Sequence, residues 1–143
     1  MTAQFSEVLI YKQKRHSMFS QPLQSYFDLG GADPKFQSPH SALWRGYVGV
    51  WEIVNDRLYL INLSGTLENG VEANIETIFP GFPNRVFAHW YSETIRLPQG
   101  KLLKYFHGGY GSTFESDLLL NIEKGIVMKT STRNNEAPEA IKR

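Results

Sequence analysis

Residues capable of chemistry gather around one glycine-rich stretch, Gly108-Gly109-Tyr110-Gly111-Ser112-Thr113. His107 stands before it and Glu115 just after it, so a carboxylate could orient an imidazole for general acid–base work. A histidine at a hairpin end, with a solvated glutamate nearby, explains the same pair without catalysis. Ser112 is the available hydroxyl, but the Gly-x-Ser-x-Gly pattern that strains a nucleophile into reach is absent. A phosphate cradle would open a helix and end in Lys-Ser or Lys-Thr, whereas this loop leads into a strand pattern and has neither pair. The remaining histidines, His16, His40 and His89, lack the spacing of a zinc site. Catalytic and metal-ligating sets are therefore empty, and no cofactor is called for. A second group is richer in binding chemistry. Trp44, Arg45, Tyr47, Trp51 and Glu52 follow one another in an apolar run, and Trp, Tyr and Arg dominate the centres of protein interfaces. Arg45, Tyr47 and Trp51 share a face if the run is extended, with Glu52 on the other. An Arg in such a run is either an interface anchor or the buried half of an ion pair or ring stack. The candidate binding residues are Arg45, Tyr47, Trp51, His107, Tyr110 and Glu115.

These residues must be positioned by strands. Val8 to Tyr11 reads as a short strand, and Lys12 to Arg15 turns it into a second one ending near Met18. Pro22 suits a first helical position, and Leu23, Tyr26 and Phe27 continue at helical spacing to Leu29, where Gly30-Gly31 stops it. Leu43 to Val54 is the strongest strand, apolar on both faces and hence central. Asn55-Asp56 turns it into a return strand, Arg57 to Leu63, followed by a polar loop. Val71, Ile75, Ile78 and Phe79 form the stripe of a short helix that Pro80-Gly81 ends. The second half of Val86 to Leu97 alternates as a strand. Pro98-Gln99-Gly100 reads as a turn, and Lys101 to His107 as the next strand. Phe114 to Glu123 places Leu118, Leu120 and Ile122 on an inner face, and Lys124-Gly125 turns the chain into Ile126 to Thr130. About seven strands and two short helices predict a mainly β (α+β) fold, an antiparallel sheet or open barrel. Residues 1–130 form the expected globular domain. Residues 131–143, polar and proline-containing, are the expected disordered tail, dispensable for the fold.

Composition narrows the function classes. A chain of 143 residues with 41% hydrophobic and 20% charged residues can build one core without staples. The absence of cysteine removes disulfides, zinc–thiolate sites, iron–sulfur clusters and thiol nucleophiles. A formal charge of +1, with one small basic cluster at Lys12, Lys14, Arg15 and His16, argues against a nucleic-acid partner. That cluster reads as a lysine-guarded strand edge. Apolar runs are too short to span a membrane, and the first ten residues, carrying Glu7, do not form a signal peptide, so the expected compartment is the cytoplasm.

Three stretches also carry a resemblance. They are Ala42-Leu43-Trp44-Arg45-Gly46-Tyr47 with Trp51-Glu52-Ile53; Ile78-Phe79-Pro80-Gly81 with Val86-Phe87-Ala88-His89-Trp90-Tyr91; and Arg96-Leu97-Pro98-Gln99-Gly100-Lys101 with His107-Gly108-Gly109-Tyr110-Gly111-Ser112. Over about Val8 to Val127 the chain resembles a family of small, stand-alone, uncharacterised bacterial proteins. Proteins of this type resemble the immunity partners of polymorphic toxins. The resemblance brings no catalytic residues. It implies a non-catalytic protein-binding protein, an immunity protein that occludes the active site of a cognate toxin. The alternatives are a small β-barrel binding an apolar ligand, or an enzyme centred on His107 and Glu115.

Overall fold

Three two-residue turns set the framework. Lys12-Gln13, Asn55-Asp56 and Lys124-Gly125 all have positive φ at both positions, the geometry that matches the twist of antiparallel strands. The computed structural model describes residues 4–106 and 109–135. The first turn joins β1 (Glu7–Tyr11) to β2 (Lys14–Met18). Helix α1 (Pro22–Asp28) follows, with proline in its first turn as the sequence predicts. The second turn joins β3 (Tyr47–Val54) to β4 (Arg57–Thr66). Next come β5 (Glu72–Ala73), α2 (Ile75–Ile78) and β6 (Val86–Phe87). The last three strands are β7 (Thr94–Lys104), β8 (Thr113–Glu123) and β9 (Ile126–Asn134), with the third turn between β8 and β9.

The strands make one sheet in the order β2-β1-β3-β4-β9-β8-β7, with β5 and β6 attached to β4. The fold is mainly β, as expected, and β3 is central. One pair departs from the antiparallel expectation: β1 runs parallel to β3, because α1 and a long loop carry the chain back to the same end of the sheet. The sheet curls until its outer strands meet. Phe19 N, just past β2, donates to Arg96 O of β7 at 2.8 Å, but no ladder forms there and the barrel stays open. Leu9, Met18, Leu23, Trp51, Leu58, Leu60, Ile95, Leu97 and Leu120 fill the concave side with no exposure. Leu120 and Ile122 are core, as their alternation requires, and Leu118 packs against them.

Several boundaries differ from the sequence reading. The run from Leu43 does not become strand until Tyr47, because Gly46 adopts φ +80 where its backbone lies against Gln37 O and Phe36 Cβ. Trp44 and Arg45 therefore lie on the approach to β3. The helix read from Val71 is one turn, capped at Asn74 by a reciprocal pair with Thr77, and Val71 is exposed before it. Pro98-Gln99-Gly100 is not a turn: β7 runs through it. Gly100 at φ +80 takes up an irregularity in the ladder between Gln99 and Leu102. The fold does not stop at Thr130. β9 continues through Ser131, Thr132, Arg133 and Asn134, paired with β8, and Asn135 N bonds to Glu115 O. The remaining tail, 136–143, lies outside the described residues.

Candidate functional site

Four of the candidate residues, Arg45, Tyr47, Trp51 and Tyr110, meet at the end of the sheet where β1 and β3 begin. Glu7, the first residue of β1, is fully buried in phase with Leu9. Its Oε2 accepts from Arg45 Nη2 at 2.7 Å and from Gly49 N at 2.8 Å, and its Oε1 accepts from Trp51 Nε1 at 3.1 Å. Burial pushes the Glu7 carboxyl up from its ordinary value, against the pull of Arg45 and of the bonds from Gly49 and Trp51. Arg45 is buried with it, spends Nη1 on Phe5 O, and lies 5.5 Å from the centre of the Tyr47 ring. The structure thus brings Arg45, Tyr47 and Trp51 together on one face, as the spacing suggests. It turns them inward, where they hold β1 to β3 rather than reach for a partner. Arg45 and Trp51 are half of a buried polar network, not exposed anchors.

Tyr110 joins this group from the glycine-rich loop. Its hydroxyl donates to Phe5 O and accepts from Gln21 Nε2, and its ring stacks on Phe19 at 4.9 Å. Burial raises its pKa first of all, and the bond from Gln21 works the other way. The loop itself is not loosely held. Arg96 of β7 donates Nη1 to Tyr110 O and Nη2 to Ser112 O, both at 2.7 Å, and Nε to Asp117 Oδ1 at 2.8 Å. Burial works to raise Asp117, but the bonds from Asn135, Arg96 and Arg133 outweigh it and keep the carboxyl below its usual value. Ser112 is itself buried, and its Oγ accepts from Phe106 N at 3.0 Å. A nucleophile bound in this way is a loop strut.

Glu115 is committed too. It accepts from Lys101 N at 2.7 Å and closes the space above Gly100. His107 and Gly108 lie outside the described residues, so the His107 side of the acid–base pair rests on the sequence. Among the described residues, no group of three histidine or acidic side chains could hold a metal.

Near this buried network stand exposed apolar side chains, an aromatic rim of which the sequence singles out only Trp44 as a binding residue. Phe5, Trp44, Tyr105 and Phe106 each leave about half of their surface in water, as do Leu102 and Leu103 near the end of β7. Hydrogen bonds tie the Phe5 segment to the Trp44 segment and to the glycine-rich loop. Phe5 N donates to Ala42 O at 2.8 Å, Gln4 N to Gly109 O at 3.0 Å, and Trp44 N to Gln4 Oε1 at 2.9 Å. Phe5 also meets His40 edge-on at 5.1 Å. Two signals in the sequence pointed here. Glu7 sits in alternation with Leu9, which marks a buried acid needing a cation. Leu102-Leu103 at the end of β7 and Tyr105-Phe106 just past it form an apolar run beyond the residues that fill the core.

No family model, curated protein or solved structure matches the chain. No helix is long and apolar enough to cross a membrane among the described residues.

Proposed function

We propose that the chain is a non-catalytic protein-binding protein, and specifically an immunity protein that neutralises a cognate bacterial toxin by covering its active site. The observation that carries the binding reading is the rim of Phe5, Trp44, Tyr105 and Phe106 with Leu102 and Leu103. Soluble monomers seldom expose large apolar side chains in a contiguous group, and aromatic residues anchor interfaces at low entropic cost. The rim stands on a rigid base. The Glu7–Arg45 pair fixes Phe5, and the Arg96–Asp117 pair fixes the loop behind Phe106. A preorganised apolar patch loses little freedom on docking. The toxin-directed form of the reading comes from the resemblance described above. Catalysis is disfavoured because Ser112 and Glu115 already have structural partners. A cytoplasmic location follows from the same reading, since an immunity protein meets its toxin inside the producing cell.

The test is co-expression with the product of the adjacent gene in a host that the product kills. The wild-type chain should restore growth. A Trp44→Asp, Phe106→Asp variant with an unchanged thermal midpoint should not. Rescue by that variant as effective as rescue by the wild type would remove the rim from the interface. Absence of any growth defect from the adjacent gene product would remove the toxin-directed reading.

A further inference from the structure

A groove of about 300 Å³ opens beside the segment that leads into β3. Gln37, Pro39 and Leu43 line it from that segment, and Val48, Ser64, Thr66 and Glu72 line it from β3, β4 and β5. Strand register puts these four sheet residues on one face. Val48 stands opposite Ser64, Thr66 stands opposite Glu72, and Ser64 and Thr66 are two residues apart on β4. Their neighbours Tyr47, Leu63 and Ala73 are buried on the other face. Thr66 Oγ1 donates to Glu72 Oε1 at 2.8 Å, as this placement requires.

The groove is preformed. Gln37 N donates to Thr66 O at 2.8 Å, and Phe36 makes a β-bridge to Leu67, so the segment is tied to β4 where it enters. Ser38 Oγ donates to Trp44 O, and Leu43 N donates to His40 O at 3.0 Å, which closes the segment on itself. The lining then selects a ligand. Pro39, Leu43 and Val48 supply apolar surface, and the Ser64 hydroxyl and the Gln37 side-chain carbonyl can accept hydrogen bonds. Glu72 is the one charged residue of the lining, it is exposed, and it forms no ion pair among the described residues. Apolar surface beside a lone carboxylate complements a cation carried on an alkyl stem, the arrangement in which lysine covers apolar surface and keeps its head in water. An anion on the same stem would meet the Glu72 charge. Glu72 Oε1 already serves Thr66, so a compact ammonium suits the carboxylate better than a guanidinium, whose fork needs both oxygens.

We propose that this groove binds a primary alkylammonium group, its carbon stem against Pro39, Leu43 and Val48 and its ammonium on the Glu72 carboxylate. Two sources offer that group: a lysine side chain of a docked polypeptide, and a free alkylamine. The proposal does not depend on the aromatic rim.

The test is a nitrogen–proton NMR titration of the full chain that follows the backbone amides of Val48, Ser64 and Thr66. The probes are n-butylammonium, methylammonium, n-butyrate and N-acetyl-lysine-N-methylamide. Butylammonium should shift these amides saturably, with a dissociation constant of roughly millimolar order for so small a ligand. Methylammonium, which lacks the stem, and butyrate, which reverses the charge, should both bind more weakly. Glu72→Gln keeps an acceptor for Thr66 and should stay folded, and it should weaken butylammonium about threefold, the loss of one exposed charge contact. Binding of the blocked lysine more tightly than butylammonium would support the proposal with a polypeptide side chain as the source, and equal or weaker binding would support it with a free alkylamine. No saturable shift with butylammonium, butyrate or methylammonium binding as tightly as butylammonium, or an unchanged affinity in Glu72→Gln would overturn the proposal.

Discussion

Arg96→Lys tests the claim that the glycine-rich loop is a clamped structural element. The guanidinium makes three bonds at once, to Asp117 Oδ1, Tyr110 O and Ser112 O, at 2.7 to 2.8 Å. It also lies over the Phe19 ring at 4.9 Å. A lysine keeps the charge but loses the planar fork, so its ammonium cannot span all three acceptors from one position. Bonds to charged groups contribute about 1.5–3 kcal/mol each, and breaking a fully buried pair costs about 3–5 kcal/mol. Arg96 keeps a fifth of its side-chain surface in water, and Asp117 retains Arg133 and Asn135, so the cost falls to about 2–4 kcal/mol. With a urea dependence of about 2 kcal/mol per molar, the unfolding midpoint should drop by about 1–2 M. Amide exchange should report where the loss falls. Phe106 N–H, held by Ser112 Oγ, should lose protection in Arg96→Lys, while core amides such as Trp51 lose only what the global change dictates. A cost below about 1 kcal/mol, or Phe106 protection unchanged relative to the core, would refute the clamp.

Arg45→Met should cost about 3–5 kcal/mol at neutral pH, because it leaves the Glu7 carboxylate buried without its cation. The Glu7 pKa is raised in the folded state, so its protonated form is favoured there, and Glu7 adds stability as pH falls toward 4.5 and loses it as pH rises. The Arg45→Met deficit should therefore shrink at pH 4 in urea unfolding; a deficit that grows there would contradict the pairing. Asp117 has the opposite sign. Its folded pKa lies below 3.8, so its contribution is complete above that value and is lost as pH falls through the folded pKa. Asp117→Asn should be less stable at pH 7 yet show a shallower loss below pH 4 by circular dichroism, and parallel acid limbs would rule this out. Leu120→Ala should cost about 2–5 kcal/mol, since the side chain has no exposure, and a cost under half a kcal/mol would mean its strand is misregistered. Truncation after Thr130 removes Arg133 and Asn135 from Asp117 and should lower the thermal midpoint by several degrees, whereas an unchanged midpoint would make the end of β9 superfluous.

The hairpins were legible because their turns are local. Asn55-Asp56 and Lys124-Gly125 announce positive φ, and Leu118, Leu120 and Ile122 keep period two around the core. The parallel β1–β3 pair was not legible, since it depends on how a long loop returns and leaves no mark in either strand. Pro98-Gln99-Gly100 misled because a bulge and a turn use the same residues. The polar stretch Ser131 to Asn134 looked like tail because its pairing with β8 is exposed on both faces, and exposure hides a strand from hydrophobic patterning. At the candidate site, the spacing of Arg45, Tyr47 and Trp51 placed them on one face but could not say that the face points inward. That answer lay in Glu7, far away in sequence, whose carboxylate makes the face a buried network. Arg96 and Asp117 escaped notice for the same reason: each is an ordinary strand residue until the loop between β7 and β8 closes over them.

The proposed function has the chain dock a protein on its aromatic rim. The most direct measurement is amide hydrogen exchange on the chain alone and with the adjacent gene product bound. New protection should appear at Gln4–Phe5, Ala42–Arg45 and Leu102–Phe106, with the β2 hairpin unchanged. Protection confined to other surfaces, or a bound complex with no change at these three segments, would contradict it.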